Sequence, residues 1–252
     1  MIRHACHLFQ VLVVTQDAFP DTETQSKWAA KVWEESCTKS KTFYILTDRV
    51  KGLLMDRQIT ERTANARSKV RNAVLPLIAL SYGFSGALTE PAKSMNRALY
   101  IKLLDLDAAE ADVRFHYKDV DARKGFAQND IILAIIQSAW FAPGSKGKHP
   151  PGVEFSTYFS PISEVTLALV FTAVDFGLNQ WGDGVFVTDG DQAHFTEKMY
   201  KSKYDTYLSE ILEWSKELAP TRSLSLRRMN ARGLRLSMHR DEGYPNLPVK
   251  GS

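Results

Sequence analysis

The sequence predicts an all-α protein, a single domain of about eight or nine helices with no significant sheet. Apolar residues recur at every third or fourth position through most of the chain, which is the period of an amphipathic helix. Proline and glycine lie between these segments, where they begin or end helices. No internal repeat or linker-like segment interrupts the pattern before Arg240. We therefore predict one domain over residues 8–238 and a flexible C-terminal tail over residues 239–252.

The first predicted helix begins with Thr22–Gln25. This segment has the form of a capping box, in which Thr and a Gln three positions later satisfy free amides at a helix N-terminus. Trp28 and Val32 continue the helix with apolar residues four positions apart. Thr47 or Asp48 is a suitable N-cap for a second helix.

Two longer helices are predicted next, over residues 60–82 and 91–106, from the same apolar spacing. Pro76 lies inside the first of them and should kink or divide it, because proline has no amide proton to donate. Gly83 is a natural stop, since glycine readily adopts the left-handed conformation that ends helices.

The middle of the chain alternates loops with compact apolar segments. Residues 107–125 are polar except for the triplet Phe115–Tyr117, so we predict a loop there. Residues 131–141 are a compact apolar helix. Residues 143–152 are rich in Gly, Lys and Pro, which predicts a surface loop.

Three helices are predicted in the last part of the chain. Residues 163–181 are apolar nearly all round, which indicates burial on every side, and Trp181–Gly184 ends this helix. Residues 194–218 show the clearest long helical period. The last helix is predicted over residues 223–238.

The composition is that of an ordinary globular protein. Of 252 residues, 44% are hydrophobic and 24% are charged, and 14 Gly and 10 Pro are too few for a collagen-like or low-complexity chain. The two cysteines, Cys6 and Cys37, form no C-x-x-C pair. We interpret them as free thiols in a reducing compartment, although their number leaves one disulfide open.

We expect a cytoplasmic or nuclear location. The apolar run over residues 2–14 is a weak match to a signal peptide, because His7 and Gln10 interrupt it. The longest strongly apolar window, residues 165–176, is shorter than the roughly 20 residues that a membrane helix needs. We therefore expect no association with a membrane.

Two places carry side chains that metal binding or catalysis could use. Asp189, Asp191, His194 and Glu197 could together hold a divalent ion, but we favour capping of the following helix by the two aspartates. Asp175 is the sole charge in the most apolar helix. It could be a buried catalytic carboxylate. We favour instead a residue that lies on the least buried face of the helix or pairs with an arginine of a neighbouring helix.

The segment with the largest excess of positive charge is the last predicted helix, because no acidic residue lies between Pro220 and Arg240. Its candidate residues for binding anions or nucleic acid are Arg222, Arg227, Arg228, Arg232 and Arg235. A second basic stretch covers residues 57–71. Guanidinium groups bind phosphates in pairs of hydrogen bonds. They can equally pair with the rest of the chain, which is mildly acidic once this helix is set apart from the net charge of +3.

Short aromatic and apolar segments occur in a definite order along residues 8–236. They include Phe19–Asp21, Trp28–Ala29, Trp33–Glu34, Tyr82–Phe84, Trp140–Phe141, Phe159–Ile162, Leu167–Val170 and Arg227–Arg228. In this order they resemble a fungal family of unknown function that is abundant in basidiomycetes. Gln128–Asp130 departs from the family pattern, which commonly has a His-Pro turn there. The resemblance implies the fold and its extent, and it implies no activity.

The sequence therefore predicts a non-catalytic protein-interaction module whose protein partner is unknown. It contains no phosphate-binding loop and no nucleophile elbow, and we expect no catalytic residue, cofactor or metal. The alternative is a nucleic-acid-associated protein that binds phosphate through the basic C-terminal helix.

The alternative makes a direct prediction. If the C-terminal arginines bind phosphate, replacing Arg227, Arg228 and Arg232 by Ala should weaken binding to duplex or single-stranded nucleic acid. Binding by the unaltered chain should fall steeply as salt rises, because phosphate contacts release counterions. An electrophoretic mobility shift at several salt concentrations measures both effects, and a chain that does not bind at low salt would overturn this alternative.

Overall fold

A computed structural model describes residues 1–42, 58–107, 113–143, 149–187, 194–217 and 229. The all-α prediction is confirmed, because these residues form helices, loops and one isolated bridge between Asp119 and Lys124, with no strand. The α-helices are α1 (Ile2–Thr15), α2 (Thr22–Lys39), α3 (Arg62–Tyr82), α4 (Glu90–Leu104), α5 (Asp130–Ile136), α6 (Pro151–Glu154), α7 (Glu164–Asn179) and α8 (Glu197–Glu217). A π-helix (Gln137–Phe141) follows α5, and a 3-10 turn (Ser156–Tyr158) follows α6.

Helix α7 lies at the centre of the molecule. Every residue from Thr166 to Leu178 is buried, as its nearly uniform apolarity predicts. Ser163 caps the helix by accepting a hydrogen bond from the Thr166 amide. The other long helices pack around it, with α8 and α3 making the most extensive contacts and α1 and α5 completing the core.

The N-terminal run is a core helix, which the sequence patterns above do not predict. Helix α1 is buried along most of its length, and Ala5, Phe9 and Val13 are fully inaccessible. The Thr166 hydroxyl on α7 donates a hydrogen bond to the Val14 carbonyl at 2.8 Å. The run is apolar because it packs against α2, α3 and α7.

The N-cap of α2 lies one position before the predicted one. Asp21 is the N-cap, and its carboxylate accepts a hydrogen bond from the Thr24 amide at 2.7 Å. This hydrogen bond lowers the pKa of Asp21. Thr22 is the first helical residue, and the Gln25 side chain donates to the Pro20 carbonyl.

Helix α3 runs through Pro76 without being divided. It ends as predicted at Gly83, which has φ +84° and whose amide donates to the Ala79 carbonyl. Helix α4 ends two residues earlier than predicted. Asp105 terminates it in the left-handed region with φ 52°, and the buried Asp105 carboxylate is paired with Arg114 and Arg123.

The predicted loop after α4 is anchored by its apolar triplet. Phe115 and His116 are buried, at 0% and 1% exposure. The Tyr82 hydroxyl donates to the Phe115 carbonyl at 2.9 Å. The His116 ring stacks on Phe171 of α7 with centroids 4.8 Å apart. The triplet therefore fastens the otherwise polar loop to the core.

Part of the predicted surface loop 143–152 is helical and buried. Residues 151–154 form α6, and Gly152 packs against the Phe141 ring so closely that a Cβ there would lie 2.6 Å from a ring carbon. Only a glycine permits this approach between α6 and the π-helix.

Helix α8 begins at Glu197 rather than at His194. Its inward stripe is the predicted one, with Tyr200, Tyr204 and Ile211 buried. The helix predicted near Asp48 lies outside the described residues. The helix predicted over residues 223–238 also lies outside them, apart from Met229, which is helical and partly buried against the core.

Both cysteines are free, as predicted. Cys37 is buried near the end of α2, with its Sγ 3.5 Å from the Met1 sulfur, and Cys6 is half-buried. Within the described ranges, no helix combines the length and the apolarity needed to cross a bilayer.

His116 should make the fold sensitive to acid. Neither of its buried ring nitrogens has a hydrogen-bond partner, and burial lowers its pKa from 6.5 to about 3. The unfolded chain binds a proton near pH 6.5 and the folded chain does not, so stability is lost as pH falls below 6.5. Relative to His116→Phe, the unaltered protein should lose about 2.5 kcal/mol of unfolding free energy between pH 7 and pH 4.5.

Denaturant unfolding at several pH values measures this difference. The exposed His149 provides the matched control, because His149→Phe leaves the His116 ring in the core and should therefore keep the loss of stability in acid. If the difference in unfolding free energy between the unaltered protein and His116→Phe were the same at every pH, His116 would not be a buried neutral residue.

Candidate functional site

Asp175 is buried at 2% exposure and forms an ion pair across two helices. Lys203 Nζ on α8 lies 2.6 Å and 2.7 Å from the two carboxylate oxygens. The expectation of a little-buried face or an arginine partner is therefore wrong: the residue is in the core and its partner is a lysine. A buried carboxylate requires such a partner, because desolvation of an unpaired charge is costly.

Two neutral side chains complete the contacts of this carboxylate. Tyr207 donates its hydroxyl proton to Oδ2 at 2.7 Å, and Asn179 Nδ2 donates to Oδ1 at 2.5 Å. Burial, followed by the charge of Asp175, raises the pKa of Tyr207 well above its ordinary value. Each oxygen thus accepts two hydrogen bonds, and the carboxylate is held in one position.

A cavity of about 430 Å³ opens beside this pair, within the range of roughly 300–1,000 Å³ that ligand sites occupy. Helices α4, α7 and α8 and the turn after α7 supply its walls. The lining residues are Tyr100, Asn179, Gly182, Asp183, Val187, Met199, Tyr200 and Lys203. The walls therefore combine phenols, one amide and two charges with apolar side chains.

Asn96 on α4 holds the turn after α7 in place. Its amide donates to the Gly184 and Ser85 carbonyls, each at 2.8 Å, and its carbonyl oxygen accepts from the Ser85 amide. Gly184 has φ +79° and lies against the backbone of Lys93, where a Cβ would be 2.3 Å from the carbonyl oxygen. Only glycine fits at this position, and its close approach sets one wall of the cavity.

The two wall tyrosines are neutral hydrogen-bonding groups at physiological pH. Tyr100 donates to the Asn179 side-chain oxygen at 2.9 Å. Burial, then the charges of Asp175 and Asp183, raise the pKa of Tyr100. Burial and Asp175 raise the pKa of Tyr200 to about 12. The two phenols therefore keep their protons near neutral pH and can donate hydrogen bonds.

Exposed apolar side chains lie on the elements that line this cavity and on the loop before α4. Eight large apolar side chains of the described residues are exposed, and five of them lie on α4, on the loop before it, on the turn after α7 and at the start of α8. We call these five the apolar rim: Leu88, Met95, Phe186, Val187 and Met199. Two of them, Val187 and Met199, line the cavity itself.

Of the residues predicted for the C-terminal anion site and the metal site, only His194 and Glu197 fall within the described residues. Arg222, Arg227, Arg228, Arg232 and Arg235 lie outside the described residues, as do Asp189 and Asp191. His194 precedes α8, so it does not share a helix face with Glu197. Within the described part of the chain, no group of three His, Cys, Asp or Glu side chains is placed to hold a metal ion.

In the second predicted basic stretch, of which residues 58–71 are described, at least one cation is turned into the core. Arg67 is buried, donates to the Ala18 carbonyl at 3.0 Å and lies 4.6 Å from the centre of the Phe19 ring. Its guanidinium therefore ties α3 to the corner between α1 and α2. Arg62 donates to the Gln58 carbonyl, and Arg71 contacts Asn72.

One signal in the sequence could have identified the partner of Asp175. Lys203 lies three residues after Tyr200 and four before Tyr207, so it belongs to the inward stripe of α8. A lone lysine on an inward stripe and a lone aspartate in an apolar helix are natural partners, because each needs a buried countercharge. Tyr100 carries no such signal.

The comparisons with known proteins identify a family without a known activity. A family profile described as "Domain of unknown function (DUF6532)" matches residues 4–214. No curated protein and no solved structure matches the chain.

Replacing only Lys203 of the ion pair should cost more stability than replacing both partners. Lys203→Met leaves the buried carboxylate without a cation and should lower the unfolding free energy by about 2 kcal/mol, less than for a fully buried pair because Lys203 is half-exposed. Asp175→Asn combined with Lys203→Met should cost less than Lys203→Met alone, since it leaves no charge in the core. Denaturant unfolding of the unaltered protein, Lys203→Met and the double variant measures these free energies.

The exposed pair between Lys201 and Asp205 on the same helix is the control. Lys201→Met should change stability by about 0.5 kcal/mol or less. A double variant that loses as much stability as Lys203→Met alone, or more, would contradict the coupling.

Proposed function

We propose that this chain, which belongs to the DUF6532 family of unknown function, acts as a protein-interaction module. Its binding surface is the end of the molecule where the cavity beside Asp175 opens within the apolar rim. The occupant is a polypeptide that places a bulky apolar side chain against Val187 and Met199 and covers the rest of the rim.

The observation that supports this proposal most strongly is the exposure of the rim. Met95 and Leu88 are 73% and 70% accessible, and the rim holds five of the eight exposed large apolar side chains of the described residues. Apolar surface left in water raises the free energy by about 25 cal/mol per Å², and a partner that covers it gains that amount. Contiguous exposed apolar surface is typical of interaction sites, and we take the rim to form such a surface.

A polypeptide fits this end better than a small metabolite. Val187 and Met199 line the cavity, whereas Leu88 and Met95 lie outside it on the α3–α4 loop and on α4. A ligand enclosed by the cavity would leave those two side chains in water. A partner chain covers both regions and can place a polar group against the phenols of Tyr100 and Tyr200.

The polar groups of the cavity favour binding over catalysis. Both oxygens of Asp175 already accept hydrogen bonds from Lys203, Tyr207 and Asn179, so this carboxylate has little capacity left to accept a substrate proton. The raised pKa of Tyr200, about 12, keeps its phenol protonated near neutral pH. These groups provide fixed hydrogen-bonding positions.

The nucleic-acid alternative remains a prediction from the sequence. It rests on the C-terminal arginines, which lie outside the described residues, and the burial of Arg67 removes one cation from the second basic stretch. The interaction module is therefore the proposal that the described residues support.

A peptide-display selection against the immobilised domain tests the proposal. We expect enriched peptides that share a bulky apolar residue and compete with one another for one surface. Met199→Asp and Val187→Asp should each weaken their binding about tenfold or more, because a carboxylate would face the apolar anchor. Fluorescence anisotropy with labelled peptides measures the affinities.

Leu212→Asp is the matched control. Leu212 is 42% exposed on the same helix as Met199, which is also 42% exposed, but it does not line the cavity. This variant should keep the affinity of the unaltered domain. Equal affinities for Met199→Asp, Leu212→Asp and the unaltered domain, or no enrichment of any peptide, would refute the proposed surface.

A further inference from the structure

The cavity beside Asp175 is lined by two charged side chains, and only one of them has a partner. Lys203 Nζ lies 2.6 Å and 2.7 Å from the two oxygens of the buried Asp175, so its charge is already compensated. Asp183, on the turn after α7, lines the same cavity and is exposed. Among the described residues its carboxylate forms no ion pair and no hydrogen bond. The uncompensated charge of the cavity lining is therefore negative.

The cations next to this turn are held by other groups. Arg97 on α4 donates to the backbone carbonyl of Asp183 at 3.1 Å, and its guanidinium lies 3.9 Å from the Glu90 carboxylate. Lys93 pairs with Glu90 at 2.8 Å. Neither Arg97 nor Lys93 lines the cavity. The Asp183 carboxylate therefore remains available to a cation that enters from solvent.

A tyrosine ring lies beside the backbone that carries this carboxylate. A Cβ on Gly182, the residue before Asp183, would lie 3.6 Å from Cε1 and Cζ of Tyr100. After burial and Asp175, the charge of Asp183 also raises the pKa of Tyr100, as expected for a carboxylate near the phenol. The Tyr100 hydroxyl donates its proton to Asn179, which leaves its oxygen as an acceptor. A phenol oxygen and a carboxylate thus border one part of the cavity, and both attract a positive group.

The apolar part of the lining suits an aliphatic chain. Val187 and Met199 line the cavity, and methionine adapts its shape because its side chain is unbranched. Lysine and arginine carry a charged head on an aliphatic stem, and the stem packs on apolar surface while the head stays in a polar environment. An acidic side chain would instead lie beside Asp183 and compete with Asp175 for Lys203, which is unfavourable.

We propose that the cavity recognises a lysine or arginine side chain of the partner polypeptide, placed next to the apolar anchor. This inference rests on the proposed interaction module and specifies its partner. The cationic head pairs with Asp183 and contacts the Tyr100 hydroxyl oxygen, and the stem lies along Met199. The cavity, with a volume of about 430 Å³, is larger than one side chain, so it accommodates the anchor and the basic side chain together.

Titration of the labelled full chain with N-acetylargininamide, followed by NMR, tests this specificity without a selected peptide. We expect saturable shifts of the Gly182 and Asp183 amides and of the Met199 methyl group. The dissociation constant should be on the order of a millimolar for a ligand of this size. The amides of N-acetylnorleucine and N-acetylglutamate carry no positive charge, and each should bind about fivefold more weakly or less well still.

Substitution of the carboxylate tests its role. Asp183→Asn keeps the size of the side chain and removes its charge, so it should weaken binding of the arginine probe about fivefold or more. Asp183→Glu keeps the charge and should retain measurable binding, which guards against a mere distortion of the turn. Asp205→Asn is the matched control, because Asp205 is an exposed acid of α8 that pairs with Lys201 and does not line this cavity. This variant should bind the probe as the unaltered chain does.

Two results would overturn the proposal: shifts with the arginine probe that do not saturate, or equal affinities of Asp183→Asn and the unaltered chain for that probe. The peptide selection separates this inference from the interaction module. Enriched peptides that lack a basic residue and bind Asp183→Asn unchanged would refute the basic side chain and leave the apolar surface standing. If no peptide is enriched while the probe binds through Asp183, the module is refuted and the preference of the cavity for a cation stands.

Discussion

The buried contact between Asp175 and Lys203 determines how the last long helix packs on the centre of the molecule. Helix α7 is surrounded by protein, so its one carboxylate must find its countercharge inside the fold. Lys203 and Tyr207 meet this need from one face of α8, which fixes the rotation and the register of α8 against α7. Asn179 extends the network to Tyr100 on α4.

The same constraint shapes the proposed binding end. Because Lys203 reaches inward to Asp175, the first turns of α8 lie beside the turn after α7 and leave a cavity between them. Gly184 and Asn96 hold that turn against α4. The apolar rim is thus carried by elements whose positions are already fixed by buried polar contacts, and a rigid surface loses little entropy when it binds.

The sequence predicts most helices because apolar spacing reports the buried face directly, as it does for α3, α7 and α8. It misses α1, because the short run also matches a signal peptide, although Arg3, His7 and Gln10 recur at the spacing of a polar helix face. It misplaces the α2 cap because Asp21, one residue before the predicted box, can reach Thr24. Gly152 resembles a loop residue, and only its contact with Phe141 shows that it is buried.

The candidate site was predictable in part. Asp175 stands out as the lone charge of an apolar helix, but its pairing with Lys203 spans 28 positions, and the contribution of Tyr100 depends on how α4 packs. The rim was not predictable, because the sequence does not distinguish an apolar residue that is exposed from one that is buried. Met95 and Met199 reveal their roles only through their accessibility in the folded chain.

Methyl NMR of the complex with a selected peptide tests the central claim most directly. We expect the methyl signals of Met95 and Met199 to shift and to become protected from a soluble paramagnetic agent, while that of Met1, beside Cys37, does not change. Protection of Met1 with no change at Met95 and Met199 would place the interaction surface elsewhere and contradict the account.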